Sequence, residues 1–227
     1  MPSLQIYDHL LRFQLFQGMS RAELLQMAGT TKFGFLKLPA GKPVVKAGDT
    51  CRQLTFLVNG QILLTTQSDD HSYHVAEHLS APFLLQPDVL FGPQPRYTST
   101  AVTTGPSHFI TLSKDEVLRL CDDFLIIRLN LFNLLAQLAQ RRGHQPWRRR
   151  PTLLRERLIR FFTDHCAYPA GSKTFYILMT RLADEMGVSR LAVSHQLNAL
   201  QFDGLLTLHR GRIEIPLLEH LLMNVNR

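Results

Sequence analysis

The sequence predicts an α+β chain in three successive parts: an N-terminal antiparallel β-roll (jelly-roll-like), one long helix, and a C-terminal helix-turn-helix with a hairpin wing. Three observations carry that prediction. After Lys32, short apolar runs alternate with glycine-centred turns. From Phe124 to about Arg142 an apolar helical pattern runs unbroken. From Met179 to Ile215, two short helical repeats joined at Gly187 give way, after Gly204, to apolar residues at period two.

The chain opens helically, with Leu10 to Phe16 and then Ser20 to Met27. Ser20 and Glu23 have the spacing of a capping box, in which hydroxyl and carboxylate each take up a free backbone N–H. Leu38-Pro39-Ala40-Gly41, Lys46-Ala47-Gly48-Asp49, Leu54 to Val58 with Asn59-Gly60, and Ile62 to Thr66 follow at close intervals. Asn-Gly and Gly-Asp tolerate positive φ and so set turns between strands. Regular short strands of this kind form a small roll or barrel, expected over residues 1–112.

Ser113 with Glu116 makes a second capping box and starts a helix through Cys121, while Asp122-Asp123 are placed to cap the next. That next helix carries Leu125, Ile127, Leu129, Leu131, Phe132, Leu134, Leu135 and Leu138, so it is apolar nearly all round. Such a helix needs cover on more than one side. The roll supplies one cover and a second copy of the helix the other, which predicts a parallel two-fold dimerisation seam; the alternative is a central helix inside a monomer. Residues 113–145 are thus expected to be dimerisation helix and hinge, with Gly143 and Pro146 ending the helix. Residues 146–227 form the last part, where Leu153, Leu154, Leu158, Ile159 and Phe162 pattern as a first helix and Lys173 to Ile177 as a small strand.

The 227 residues suffice for a real core. Charge is uneven. Residues 1–140 hold eleven Lys/Arg against eleven Asp/Glu; residues 141–227 hold fourteen against seven, the whole net +7, with five arginines in 141–150 alone. A neutral front and a basic back suit a sensing or assembly part joined to a polyanion-binding part. Cys51, Cys121 and Cys166 are an odd set with no close pair, which fits a reducing compartment. No signal peptide and no run of about 20 apolar residues is evident, so a cytoplasmic, non-membrane protein is expected.

Within the opening stretch of the last part, Leu182, Ala183 and Met186 form a one-turn stripe that Gly187 stops. Ser189 is placed to cap a second helix in which Val193, Leu197 and Leu200 face inward. Its outward residues are then Arg190, Leu191, Ser194, His195 and Asn198, short or bidentate donors with one apolar member, suited to base edges in a major groove. Leu206 and Leu208, then Ile213 and Ile215, flank His209-Arg210-Gly211-Arg212, a hairpin with a basic tip. The plainer alternative is a helical hairpin with a solvated face.

Leu182-Ala183-Asp184, Gly187-Val188-Ser189-Arg190, Val193-Ser194, Leu197, Leu200, Gly204-Leu205 and Arg210-Gly211 resemble the winged helix of Crp/Fnr-type bacterial transcription regulators. The resemblance implies that Arg181 and Ser189 lie near backbone phosphates, and that Arg190, Leu191, Ser194 and His195 face bases. Thr180, His209, Arg210 and Arg212 would join the phosphate contacts. Many members carry Glu at Leu191 and Arg at His195, the residues that read TGTGA- or TTGAT-type half-sites. Leu191 accepts no hydrogen bond from cytosine but can meet a thymine methyl, so a different operator is expected.

The ladder Gly41, Gly48-Asp49, Phe56, Gly60 likewise resembles the opening of the family's cyclic-nucleotide-binding roll, although a cupin-like barrel would pattern similarly. In nucleotide-binding members a Gly-Glu pair starts a short helix, and an Arg followed by Ser or Thr comes later. Backbone amides and the guanidinium hold the cyclic phosphate while the Glu takes the ribose hydroxyl. Here Arg96 stands at the phosphate position, with Tyr97 and Thr98 after it, but Leu85 and Gln86 replace Gly-Glu and Pro87 removes a backbone donor. An effector site at Gln86, Arg96, Tyr97 and Thr98 is expected to take a ligand other than cyclic AMP, or none; no cofactor is expected. Three cysteines fall short of the four thiolates of an iron–sulfur cluster, which sets aside the family's oxygen-sensing branch.

His71, His74 and His78 with Glu77 suggest metal, but His74 and His78 would stand together only on a helix, and strands are expected there. No metal site is expected, and no nucleophile, base and orienting group assemble in residues 1–112. The expected function is a homodimeric transcription regulator, not an enzyme, that binds a pseudo-palindromic stretch of double-stranded DNA, with RNA polymerase as a further candidate partner. Two alternatives remain: a metal-dependent β-roll enzyme with an accessory basic domain, and a protein-binding module with a degenerate winged helix.

Overall fold

The computed structural model describes residues 8–143, 147 and 151–224. In chain order the elements are a 3-10 turn (Gln14–Phe16), α1 (Arg21–Thr30), β1 (Gly34–Leu38), β2 (Pro43–Val45), β3 (Gln53–Asn59), β4 (Gln61–Gln67), β5 (His74–Ser80), β6 (Phe83–Leu85), β7 (Ser99–Thr103) and β8 (Ser107–Ser113). There follow α2 (Lys114–Asp123), α3 (Leu125–Gly143), α4 (Leu154–Asp164), β9 (Lys173–Tyr176), α5 (Met179–Met186), α6 (Arg190–Phe202), β10 (Thr207–His209), β11 (Arg212–Ile215) and α7 (Leu218–Met223). An antiparallel β-sheet domain, a long helix and a helix-turn-helix domain with a hairpin thus follow one another, an α+β arrangement.

By their contacts the residues fall into two units, 1–62 with 80–148, and 63–79 with 149–227. In the first, β1, β8, β3 and β6 form an antiparallel sheet in that order, and β2 pairs with β7. The core gathers on β3, where Leu54, Phe56 and Leu57 are buried; Phe13 meets Phe56 edge-on at 5.0 Å and Phe16 meets it at 5.6 Å. Gly60 makes the β3–β4 turn possible: its φ is +99°, and a Cβ there would meet the Pro106 carbonyl oxygen at 2.7 Å. The Ser20 box is complete, with Ser20 Oγ accepting from the Glu23 N–H at 3.2 Å and the Ser20 N–H donating to the Glu23 carboxylate at 2.7 Å.

Two expectations here need correction. Ser113 Oγ caps α2 by accepting from the Glu116 N–H, but the Glu116 carboxylate turns away to the Lys32 N–H at 3.1 Å and to Arg119 at 2.5 Å. Charge-assisted bonds to a guanidinium outcompete closing the box. Asp122 and Asp123 do not cap the long helix either: they finish α2, Asp123 pairs with Arg119 at 3.5 Å, and the Phe124 carbonyl accepts the first α3 bonds. Along α3, Ile127 and Leu131 are buried, as is Phe124 just before it, whereas Leu125, Leu129 and Phe132 lie on an uncovered stripe continued by Ala136 and Ala139. The Pro146 stop and most of the expected hinge lie outside the described residues.

In the second unit the strand order is β10, β11, β9, β5, β4, so the β4–β5 hairpin extends the wing's own sheet. Val75 of β5 is 2% exposed and belongs to the same core as Leu158, Phe162, Phe175, Leu182, Leu197 and Ile215. Phe162 and Phe175 stack edge to face at 4.8 Å across α4 and β9.

Candidate nucleic-acid interface

Helix caps build the two-helix unit. α5 ends at Gly187, whose φ of 60° is a left-handed cap that costs an L side chain but not glycine. Its N–H donates to the Asp184 carbonyl at 3.0 Å and that of Val188 to Ala183 at 3.1 Å. Two residues on, Ser189 Oγ accepts from the Ala192 N–H at 3.2 Å and starts α6. Val193, Leu197 and Leu200 face the core with Leu182, Ala183 and Met186. Arg190, Leu191 and His195 are left exposed, Leu191 at 80%, and Ser194 is half-buried beside them. Asn198 turns back, donating to the Ser194 carbonyl at 2.9 Å.

The wing follows. β10 and β11 pair antiparallel around Arg210-Gly211, and the Leu208 N–H donates to the Gln201 side chain at 2.7 Å, tying the wing to α6. Thr180 is exposed on the first turn of α5 with Arg181 after it. The ten sequence-predicted contact residues therefore fall on three neighbouring pieces of one unit: the start of α5, the outer face of α6 and the wing. Their charges are less free than the sequence suggests. Glu214 takes both His209, at 3.3 Å, and Arg212, at 3.0 Å, leaving Arg210 as the exposed cation of the turn. Arg181 pairs with Glu185 at 2.6 Å and with Asp70 at 3.0 Å.

Two charged groupings were not visible in the pattern of residues. One is Asp70 on Arg181. The other is a buried ion pair: Lys173 Nζ donates to Glu77 at 2.8 Å, their side chains 0% and 1% exposed, and the same carboxylate accepts from the Ala167 and Tyr168 N–H groups at 2.8 and 3.2 Å. A charged residue at an inward position of each strand was the only available signal, and it does not name its partner.

Of the four predicted effector residues only Gln86 and Thr98 come together, and they bond each other. Gln86, at φ 35°, folds its side chain back onto the chain: its side-chain carbonyl oxygen accepts from the Thr98 N–H at 2.8 Å, the Thr98 hydroxyl at 2.8 Å and the Ser99 N–H at 3.3 Å, and its amide donates to the Ser99 carbonyl at 3.1 Å. Arg96 donates one N–H to the Gly48 carbonyl at 2.8 Å and is otherwise exposed. Tyr97 is buried, and that burial, with the Cys51 thiol beside it, pushes its hydroxyl well above the usual phenol range. A cyclic phosphate therefore finds the Thr98 and Ser99 amides already taken by Gln86, and these residues as arranged do not fit one. Cavities of about 440 and 510 Å³ open elsewhere, the first against Phe35, Leu36, Val58 and Phe109, the second beside Gly60 and Pro106.

The histidines also separate. His71 sits in the β4–β5 turn, and His74 stacks on Tyr176 at 4.4 Å. His74 and His78 do share a strand face, contrary to expectation, since positions four apart in a strand do so. They are nonetheless about 13 Å apart along β5, and Glu77 points to the other side. Among the described residues no group of three or more His, Cys, Asp or Glu is placed to hold a metal ion, and no helix is long and apolar enough to cross a membrane.

Comparison with known families agrees with this architecture. Residues 35–124 match the cyclic nucleotide-binding domain and residues 156–223 the Crp-like helix-turn-helix domain. The chain belongs to the Crp/Fnr-type transcription regulators. Among solved structures it is similar to the catabolite activator protein of Thermus thermophilus, with 22% identity over 94% of this chain and 98% of that one and a TM-score of 0.52. It is also similar to the sensor domain of the transcriptional regulator DNR from Pseudomonas aeruginosa, with 18% identity over 67% of this chain and 97% of that one and a TM-score of 0.53. A comparison with curated proteins finds no match.

Proposed function

We propose that this chain is a sequence-specific, homodimeric DNA-binding regulator of cytoplasmic type, not an enzyme, whose sensor answers to an effector other than cyclic AMP or to none. The observation that carries the proposal is the outer face of α6. Ser189 at its cap supports a phosphate contact, and Arg190, Leu191, Ser194 and His195 stand where a helix laid in a major groove presents side chains to bases. Thr180, Arg181, His209, Arg210 and Arg212 position the unit on phosphates. The uncovered stripe of Leu125, Leu129 and Phe132 on α3 supports a two-fold seam. Two recognition helices so related bind half-sites about 34 Å apart. RNA polymerase is a further partner open to such a regulator.

The effector part of the reading rests on Gln86. Its side chain already supplies the acceptor that the Thr98 and Ser99 amides need, so cyclic AMP brings no new bond and must displace existing ones. Selection of bound sequences from random duplex DNA, with and without cyclic AMP, tests both parts together. The expected result is a pseudo-palindrome recovered equally in both arms, and loss of discrimination at one position per half-site in Arg190→Ala. Failure to enrich any sequence would overturn the DNA-binding reading. Recovery only with cyclic AMP would overturn the effector reading.

A further inference from the structure

Residues 63–79, the second strand-turn-strand of the roll in sequence, carry three carboxylates (Asp69, Asp70 and Glu77) and no Lys or Arg. This acidic hairpin packs within the basic unit that holds the helix-turn-helix. We propose that it is an intramolecular mask of the DNA-reading surface, in which Asp70 holds the guanidinium of Arg181 that a DNA phosphate would otherwise take. The inference rests on the DNA-binding reading above.

The two ends of the hairpin are fastened unequally. At its base, β5 runs antiparallel to β9 in the register His74–Tyr176, Val75–Phe175, Ala76–Thr174 and Glu77–Lys173, with the Glu77–Lys173 pair buried. At its tip, Asp70 and Arg181 meet at 3.0 Å with half or a third of each side chain exposed, 50% and 35%. An exposed ion pair is weak, whereas breaking a buried one strands a charge. The tip can therefore yield to a phosphate while the base stays paired.

The tip is also built to present charge. Ser68 Oγ and Ser72 Oγ each donate to Asp70 Oδ1 at 2.7 Å, and the Ser72 N–H donates at 3.1 Å. These bonds, and then Arg181, hold the Asp70 carboxyl well below the usual range, so it remains an anion. On the other side, the Arg181 guanidinium lies 6.0 Å from the centre of the Tyr73 ring, and Tyr73 is itself fixed by a 3.0 Å bond between its hydroxyl and His165. A carboxylate, two serines and an aromatic thus reproduce, from within the chain, the anion that Arg181 would meet on DNA.

The test uses the full chain and a fluorescent duplex carrying the selected operator. Asp70→Asn keeps the acceptor for Ser68 and Ser72 but removes the charge, and should bind the duplex about three- to tenfold more tightly than wild type. In an Arg181→Ala background the same substitution should gain much less. Equal affinity of Asp70→Asn and wild type overturns the mask alone, as does an undiminished gain without Arg181. Absence of duplex binding by every variant overturns the DNA-binding reading as well. Hydrogen exchange supplies a second reading: added operator should speed exchange at residues 68–73 and leave 74–77 protected, and unchanged exchange at 68–73 overturns the proposal.

Discussion

Glu77 and Lys173 are the residues with most at stake individually. Neither side chain reaches water, and each satisfies the other while Glu77 also takes two backbone N–H groups. Removing one charge leaves the other buried without compensation, a loss of about 3–5 kcal/mol. Glu77→Gln should therefore shift the urea midpoint of the unit strongly downward, while the double change Glu77→Leu with Lys173→Met should recover much of that loss. If Glu77→Gln unfolded at the wild-type midpoint, the pair would be contributing nothing. Gln86 makes the complementary point. A single Gln in a left-handed backbone conformation closes a hydrogen-bonded loop on Thr98 and Ser99, its side-chain carbonyl accepting from both backbone amides.

At the scale of elements, α3 is where the proposed dimer is open to test. Leu125, Leu129 and Phe132 are 61%, 47% and 59% exposed and recur at four- and three-residue spacing, as a two-stranded seam requires. A carboxylate in the middle of such a seam is desolvated without a partner. Phe132→Glu should give a monomer by sedimentation, with α-helical content unchanged, since position 132 touches little within its own chain; a dimer of wild-type stability would place the seam elsewhere. Element starts were well legible in sequence. The Ser20, Ser113 and Ser189 caps all form, because a cap depends on residues three apart. The two misreadings, Glu116 and Asp122-Asp123, arose beside a competing cation, Arg119, which takes the Glu116 and Asp123 carboxylates.

For the molecule as a whole, electrostatics sets the expected behaviour on DNA. The net +7 resides entirely in residues 141–227, yet two of the predicted phosphate-contacting arginines already hold carboxylates, Arg181 with Asp70 and Glu185, and Arg212 with Glu214. Fewer counterions are then released than a count of Arg and Lys suggests. The logarithm of affinity should fall linearly with the logarithm of salt concentration, and Arg210→Ala, which removes one exposed cation per protomer, should reduce that slope by about 2 for a dimer while leaving sequence preference intact. An unchanged slope would mean that the wing does not touch phosphate.

The sequence by itself determined the order of parts, the helix caps, the glycine turns, the inward face of α6 and the family. All of these are written in residues close together in the chain, where spacing of 2, 3 or 4 fixes the geometry. Only the tertiary structure decided that Gln86 bonds Thr98 and Ser99, that β5 joins β9, and that Asp70 meets Arg181 across 111 positions. Those pairings depend on strand register and on which of several carboxylates reaches a cation first, and neither follows from local periodicity.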